Sequence, residues 1–185
     1  MPNLKFLPHF IFTKSSVEAK RNLSINIGDR KIEKDDNPVS LGVELDRQLT
    51  LSKYCEKLRQ KATNRLKILK RLASSKWGAN KATLRGMYLG YVRSTLENNL
   101  AIQSICSQSQ HQKLEKVHNE AVKFISGGMK STPIQACEID ANIEPLRLRR
   151  ETAVVEMVER YRRSDRENPN RKIVEKWSPN NKIKQ

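Results

Sequence analysis

From Thr50 onward the apolar residues of this chain recur with the period of a helix, and that limits what the middle of the molecule can become. Tyr54, Leu58, Ala62, Leu66, Leu69 and Leu72 follow at spacings of four, four, four, three and three, which sets them on one stripe over about five turns. A half-buried strand needs alternation by two, so the segment reads as an amphipathic helix. Thr50 or Ser52 stands where an N-cap is needed, and Gly78 after Trp77 can end the helix. Asn80 caps a second helix, with Leu84, Met87, Tyr88, Tyr91, Val92 and Thr95 along one face. The short link from Ser75 to Asn80 makes the two antiparallel neighbours.

Opposite the apolar stripe, at roughly 100° per residue, fall Lys53, Lys57, Lys67 and Arg71, with Asn64 among them. The charge of the whole chain is +16 over 185 residues, and most of it lies here. Residues 47–93 carry thirteen Lys/Arg against the single acid Glu56, whereas residues 1–46 are neutral and residues 94–185 carry sixteen bases and twelve acids. Solvated faces usually mix signs; a face this one-sided suits a polyanion, and nucleic acid is the expected partner. The alternative is a basic structural or interaction module that docks on an acidic protein or an anionic membrane. Trp77, at a helix end, is placed to stack on a base. Tyr54, Tyr88 and Tyr91 lie on the apolar faces and are expected in the core.

Before this hairpin the pattern is that of strands. Phe10 to Thr13 is a short run of β-formers, and Leu23, Ile25 and Ile27 alternate with polar residues up to the turn at Gly28-Asp29, with Lys31-Ile32 returning. Pro38 introduces Val39 to Val43 as a further short strand. After the hairpin, a third helix runs from about Ser109 to Ser126 and stops at Gly127-Gly128. Thr132-Pro133-Ile134-Gln135 has the form of a capping box with Pro at the first helical position. A last helix starts at Pro145 and carries Leu148, Val155, Val158 and Tyr161 inward to about Ser164. The expected fold is therefore α+β and mainly α: short N-terminal strands, then a bundle of about five helices. It divides into residues 1–46 (β-rich), 47–95 (basic helical hairpin), 96–165 (helical extension) and 166–185 (a disordered tail, polar and broken by proline).

Chemistry of the catalytic kind finds little support. Cys55, Cys106 and Cys137 form no Cys-x-x-Cys pair and no His lies at ligand spacing, so no metal site and no disulfide framework are expected; the cysteines read as small buried apolar residues of an intracellular protein. Asp35-Asp36 sits in a Lys-Asp-Asp-Asn-Pro turn, no Ser occupies a Gly-x-Ser-x-Gly elbow, and Gly127-Gly128 reads as a helix stop, not a phosphate cradle. No small-molecule substrate is expected. No stretch approaches the ~18 apolar residues of a membrane span, and no signal peptide is read in Phe6 to Phe12.

The order of segments carries a resemblance. Ser40-Leu41-Gly42-Val43-Glu44-Leu45-Asp46-Arg47-Gln48-Leu49-Thr50 resembles the Tyr-Leu-Gly-Val-x-Leu-Asp-x-x-Leu-Thr segment of jockey-like non-LTR retrotransposon reverse transcriptases. Leu114 to Ala121 followed by Phe124 to Gly127 is similar to that family's Leu-Glu-x-x-Gln-Asn-x-Ala-x-Arg-x-Ile-Thr-Gly block. Ser131-Thr132-Pro133 and Pro145-Leu146-x-x-Arg149-Arg150 then match its Ser-Thr-Pro and Pro-Leu-x-x-Arg-Arg elements in the same order. Ser40 replaces the usual Tyr, His118 the usual Gln, and Asn98-Asn99 stand where Tyr-Gly follows Leu-Glu.

The resemblance implies an RNA-directed DNA polymerase origin, with residues 1–46 a palm remnant, the basic hairpin a thumb and the rest its helical extension. It implies that Leu41 and Gly42 lie near the primer grip and that the thumb holds a template–primer duplex, for which Lys53, Lys57, Asn64, Lys67, Arg71 and Trp77 of the basic hairpin are the expected contacts. The family's Mg2+-binding palm aspartates are expected to precede Phe10. No catalytic residue and no cofactor are therefore expected in this chain, which would not polymerise DNA without a missing polymerase half.

Overall fold

The computed structural model describes residues 9–13, 15, 17–18, 21, 24–27, 30–73 and 78–176. Two small antiparallel hairpins come first. β1 (Asn26–Ile27) pairs with β2 (Arg30–Lys31), as the alternation around Ile25 led one to expect, and β3 (Val39–Ser40) pairs with β4 (Val43–Glu44). The single strand expected over 39–43 is thus a hairpin folded back on Leu41-Gly42. Phe10 to Thr13 forms no strand; the isolated bridge His9–Lys34 is the pairing there, and Phe10 and Phe12 lean together at 5.3 Å.

Helices dominate the remainder. α1 spans Ser52–Leu72, and its buried residues Tyr54, Cys55, Leu58, Ala62, Leu66 and Leu69 follow the stripe read from the sequence. α2 (Lys81–Met87) starts where Asn80 Oδ1 accepts from the Thr83 amide at 2.8 Å. It continues into a π-helical stretch, Tyr88–Arg93, and a last turn, α3 (Ser94–Leu96). After α4 (Leu100–Gln103) comes α5 (Gln108–Ser126), closed by Gly127 in the left-handed region at φ 70° with the Gly128 amide on Lys123 O. That is the glycine stop expected there. α6 (Ile134–Ala141), α7 (Leu146–Arg163) and α8 (Pro169–Lys176) complete the described chain.

α1 packs against α5 and, antiparallel, against the π stretch and α3, while α6 lies on α5 and α4 on α7. The apolar stripe of α1 meets Tyr88, Val92 and Leu96 on one side and Leu114, Val117, Ala121 and Ile125 on the other, in a single buried cluster. Burying each large aliphatic side chain of this kind stabilises the fold by about 1.5–3 kcal/mol.

Four expectations are corrected. Neither Thr50 nor Ser52 caps α1; Leu51 holds that position at φ 56° with no side-chain cap. Thr132 does not cap α6, which begins one residue late, with Pro133 at the cap. α7 buries only Leu146 and Arg150, and Val155 is 61% exposed, because after its first turns the helix leaves the bundle. Within the expected disordered tail, Pro169–Lys176 is helical; residues 177–185 lie outside the described residues.

Candidate nucleic-acid interface

The outward face of α1 is built by the helix period itself. The residues exposed along it are Lys53, Lys57, Gln60, Lys61, Asn64, Lys67, Ile68 and Arg71, single residues or adjacent pairs recurring every three or four positions, with no carboxylate among them. Lys53, Lys57, Asn64, Lys67 and Arg71 are thus together on one face, as expected. Lys61 and the half-exposed Ile68 were missed, although both lie within the same arc of the helical wheel. The acid on α1, Glu56, stands at the flank and is clamped by Arg59 Nε at 3.0 and 3.1 Å. That clamp, more than burial opposes it, lowers the Glu56 carboxyl to a pKa of about 2.

Much of the charge concentrated at 47–93 is spent inside the molecule. Arg47 pairs with Asp36, Lys57 with Glu44, Lys70 with Glu120, Lys81 with Asp140 and Arg93 with Glu97. Arg85 donates to the carbonyls of Ala141 and Asn142, satisfying the C-terminal end of α6. Lys61, Lys67 and Arg71 have no such partner among the described residues, so the open cationic surface is narrower than the sequence count suggests. Trp77 lies outside the described residues.

The β3–β4 hairpin adjoins this face through two ties. Lys53 Nζ donates to Asn37 Oδ1 at 2.7 Å, and Lys57 meets Glu44. At its tip Leu41 (φ 49°) and Gly42 (φ 79°) are both left-handed, the geometry of the tight turn that suits a twisted two-residue hairpin. Glycine adopts it freely; a leucine there costs about 1–2 kcal/mol. The Leu41 side chain is 97% exposed, so packing does not compensate that strain.

Tyr91 departs from expectation. The π stretch widens one turn by its i→i+5 bonding and changes the rotation of the residues that follow. Tyr88 and Val92 are buried while Tyr91 stays 41% exposed. The Arg65 guanidinium lies 4.6 Å from the Tyr91 ring centroid and donates to Tyr91 O and Thr95 Oγ1. Tyr54 is buried, as expected, and donates to Asn98 O at 2.9 Å.

Titratable groups in the interior serve the fold. Tyr88 Oη lies 2.6 Å from His118 Nδ1, and His118 Nε2 lies 3.3 Å from Glu138 Oε1. Burial, helped by the Arg93 charge, lowers His118 to a pKa of about 4, so the ring is neutral and bridges the other two. Among the described residues no group of three His, Cys, Asp or Glu side chains converges as a metal site would require, and no helix is long and apolar enough to cross a membrane.

The chain is similar to the Retrovirus-related Pol polyprotein from type-1 retrotransposable element R1 4 of Nasonia vitripennis, at 28% identity over 126 residues. The match covers 68% of this chain and 32% of that protein, so the chain spans about a third of the relative's length. No protein-family model matches it, and no solved structure does. The likeness supports a non-LTR retrotransposon origin for the chain.

Proposed function

We propose that this chain is the thumb and its helical extension of a jockey-like retrotransposon reverse transcriptase, and that it grips the template–primer duplex with the outer face of α1. The observation that carries this reading is the run of five exposed cations on that face, Lys53, Lys57, Lys61, Lys67 and Arg71, with the acid of α1, Glu56, held by Arg59 at the flank. Phosphates of a nucleic-acid backbone recur at a spacing that cations one helical turn apart can follow, and each one neutralised releases counterions. The exposed Leu41-Gly42 tip, tethered to the same helix, adds a contact for the primer strand. Such a surface reads backbone and shape, not sequence.

The experiment is a titration of a labelled RNA–DNA hybrid by fluorescence anisotropy over a range of salt. Replacing Lys61, Lys67 and Arg71 with Gln is expected to make the slope of log K against log salt shallower by about 2–3, since each lost phosphate contact removes about 0.7–0.9. Lys57→Gln is expected to do less, because that ammonium is already engaged by Glu44. An unchanged slope in the triple variant overturns the assignment. Equal loss of binding to anionic vesicles and to the hybrid would transfer the surface to a membrane.

A further inference from the structure

Cys55 and Cys106 are 51 residues apart in sequence, yet their sulfurs stand 3.1 Å apart in the interior. Cys55 closes the first turn of α1, its amide on Leu51 O, and Cys106 lies in the link between α4 and α5. Both are free thiols, 1% and 7% exposed. Two sulfurs this close are already within van der Waals contact, about 1 Å from bonding distance. The third cysteine is a built-in comparison: Cys137 is equally buried but is seated against Gly128, on α6.

We propose that Cys55 and Cys106 form a peroxide-sensitive dithiol whose oxidation fastens α1 to the α4–α5 link. This goes beyond the nucleic-acid reading and does not depend on it. The two thiols are unequal. With Cys55 as donor, the hydrogen bond between them favours the Cys106 thiolate, against burial and with help from the Arg150 charge; the same bond, together with burial, keeps Cys55 protonated. Cys106 is also the more exposed of the two. It therefore attacks first.

In the first step Cys106 Sγ bonds one oxygen of hydrogen peroxide, the O–O bond breaks, and the departing oxygen leaves as water with the thiol proton. The Cys55 sulfur then displaces the hydroxyl of the Cys106 sulfenic acid, which leaves as a second water as the disulfide forms. Two thiols lose two electrons and the peroxide gains them. The new bond would close α1, α2, the π stretch, α3 and α4 into one covalent loop.

The full chain, treated with hydrogen peroxide and digested without reduction, is expected to yield one peptide pair joining Cys55 to Cys106, with the intact mass falling by two hydrogens. Thermal unfolding should move to higher temperature, and dithiothreitol should reverse both changes. Cys55→Ser is expected to stop at a Cys106 sulfenic acid that dimedone traps, while Cys137→Ser should leave the crosslink unaltered. Oxidation confined to Cys137, crosslinks only between chains, or thiols that stay unmodified would each overturn the proposal, and the wild-type digest decides this even if a variant fails to fold.

Discussion

The carboxylate of Asp46 accepts hydrogen bonds from the Thr50 and Leu51 amides and the Thr50 hydroxyl, at 2.7 to 3.0 Å. It organises the entry to α1 from outside the helix. Burial opposes its ionisation, but these bonds outweigh it and lower the carboxyl below its usual value. Its stabilising contribution is therefore present at neutral pH and lost as pH falls through the folded value. Asp46→Ala is expected to cost about 1–2 kcal/mol in urea unfolding at pH 7, the range of a lost helix cap. His118 makes a second, separable pH dependence. Its folded pKa of about 4 lies below the ordinary 6.5, so the unfolded chain takes the proton first and stability falls as pH drops from 6.5 towards 4. At about 1.4 kcal/mol per unit, the loss by pH 5 is on the order of 2 kcal/mol. Glu138, raised by burial, acts in the opposite sense at the lower end. His118→Gln, which installs the residue usual in the resembling family, should abolish the fall above pH 5; an unaltered pH profile would place the titration elsewhere. Asn99, for its part, sits in the left-handed region at φ 54°.

At the scale of elements, the β3–β4 hairpin and α1 act as one unit. The hairpin tip stores strain in Leu41 that no buried contact offsets. Leu41→Gly is expected to raise stability by about 1 kcal/mol through relief of the left-handed backbone, and at the same time to weaken binding of the RNA–DNA hybrid. Gain in stability without loss of binding would show the tip to be idle. The hairpin was legible in the sequence only as strand-forming residues, because Val39 to Val43 has the composition of one strand and nothing local tells a leucine that it must turn. α1 was legible almost entirely, including its outer cations, because a helix face is set by spacing alone. The ion pairs of Arg47, Lys57, Lys70 and Lys81 were not, since each involves an acid distant along the chain, whereas Arg93–Glu97 has the i,i+4 spacing of a helix.

Across the whole molecule, the two arginines of the Pro-Leu-x-x-Arg-Arg element clamp the start of α7 onto the bundle. Arg149 Nε meets Glu97 Oε1 at 3.1 Å and Arg150 meets Glu115, each acid following a leucine in an earlier Leu-Glu pair. Their energetic weights differ by environment. Arg149 is 40% exposed, and its pair is worth at most about 1 kcal/mol. Arg150 is 6% exposed, so Glu115→Ala leaves a buried guanidinium unpaired and is expected to cost about 3–5 kcal/mol. Denaturant unfolding of Glu115→Ala beside Arg149→Ala, which leaves Glu97 paired with Arg93, checks the contrast, and similar losses would contradict it. The sequence by itself determined the long helices α1 and α5, which side of α1 carries charge and that Gly127 stops α5, because these follow from periods and residue types a few positions apart; it did not determine the end of α1, which falls at Leu72 and not at Gly78, nor the helix at Pro169–Lys176. Only the tertiary structure decided which cations remain open to a ligand, that Tyr91 turns outward, and that two cysteines half a hundred residues apart share one site. Those outcomes depend on which distant residues the packing brings into contact, and no local spacing encodes that.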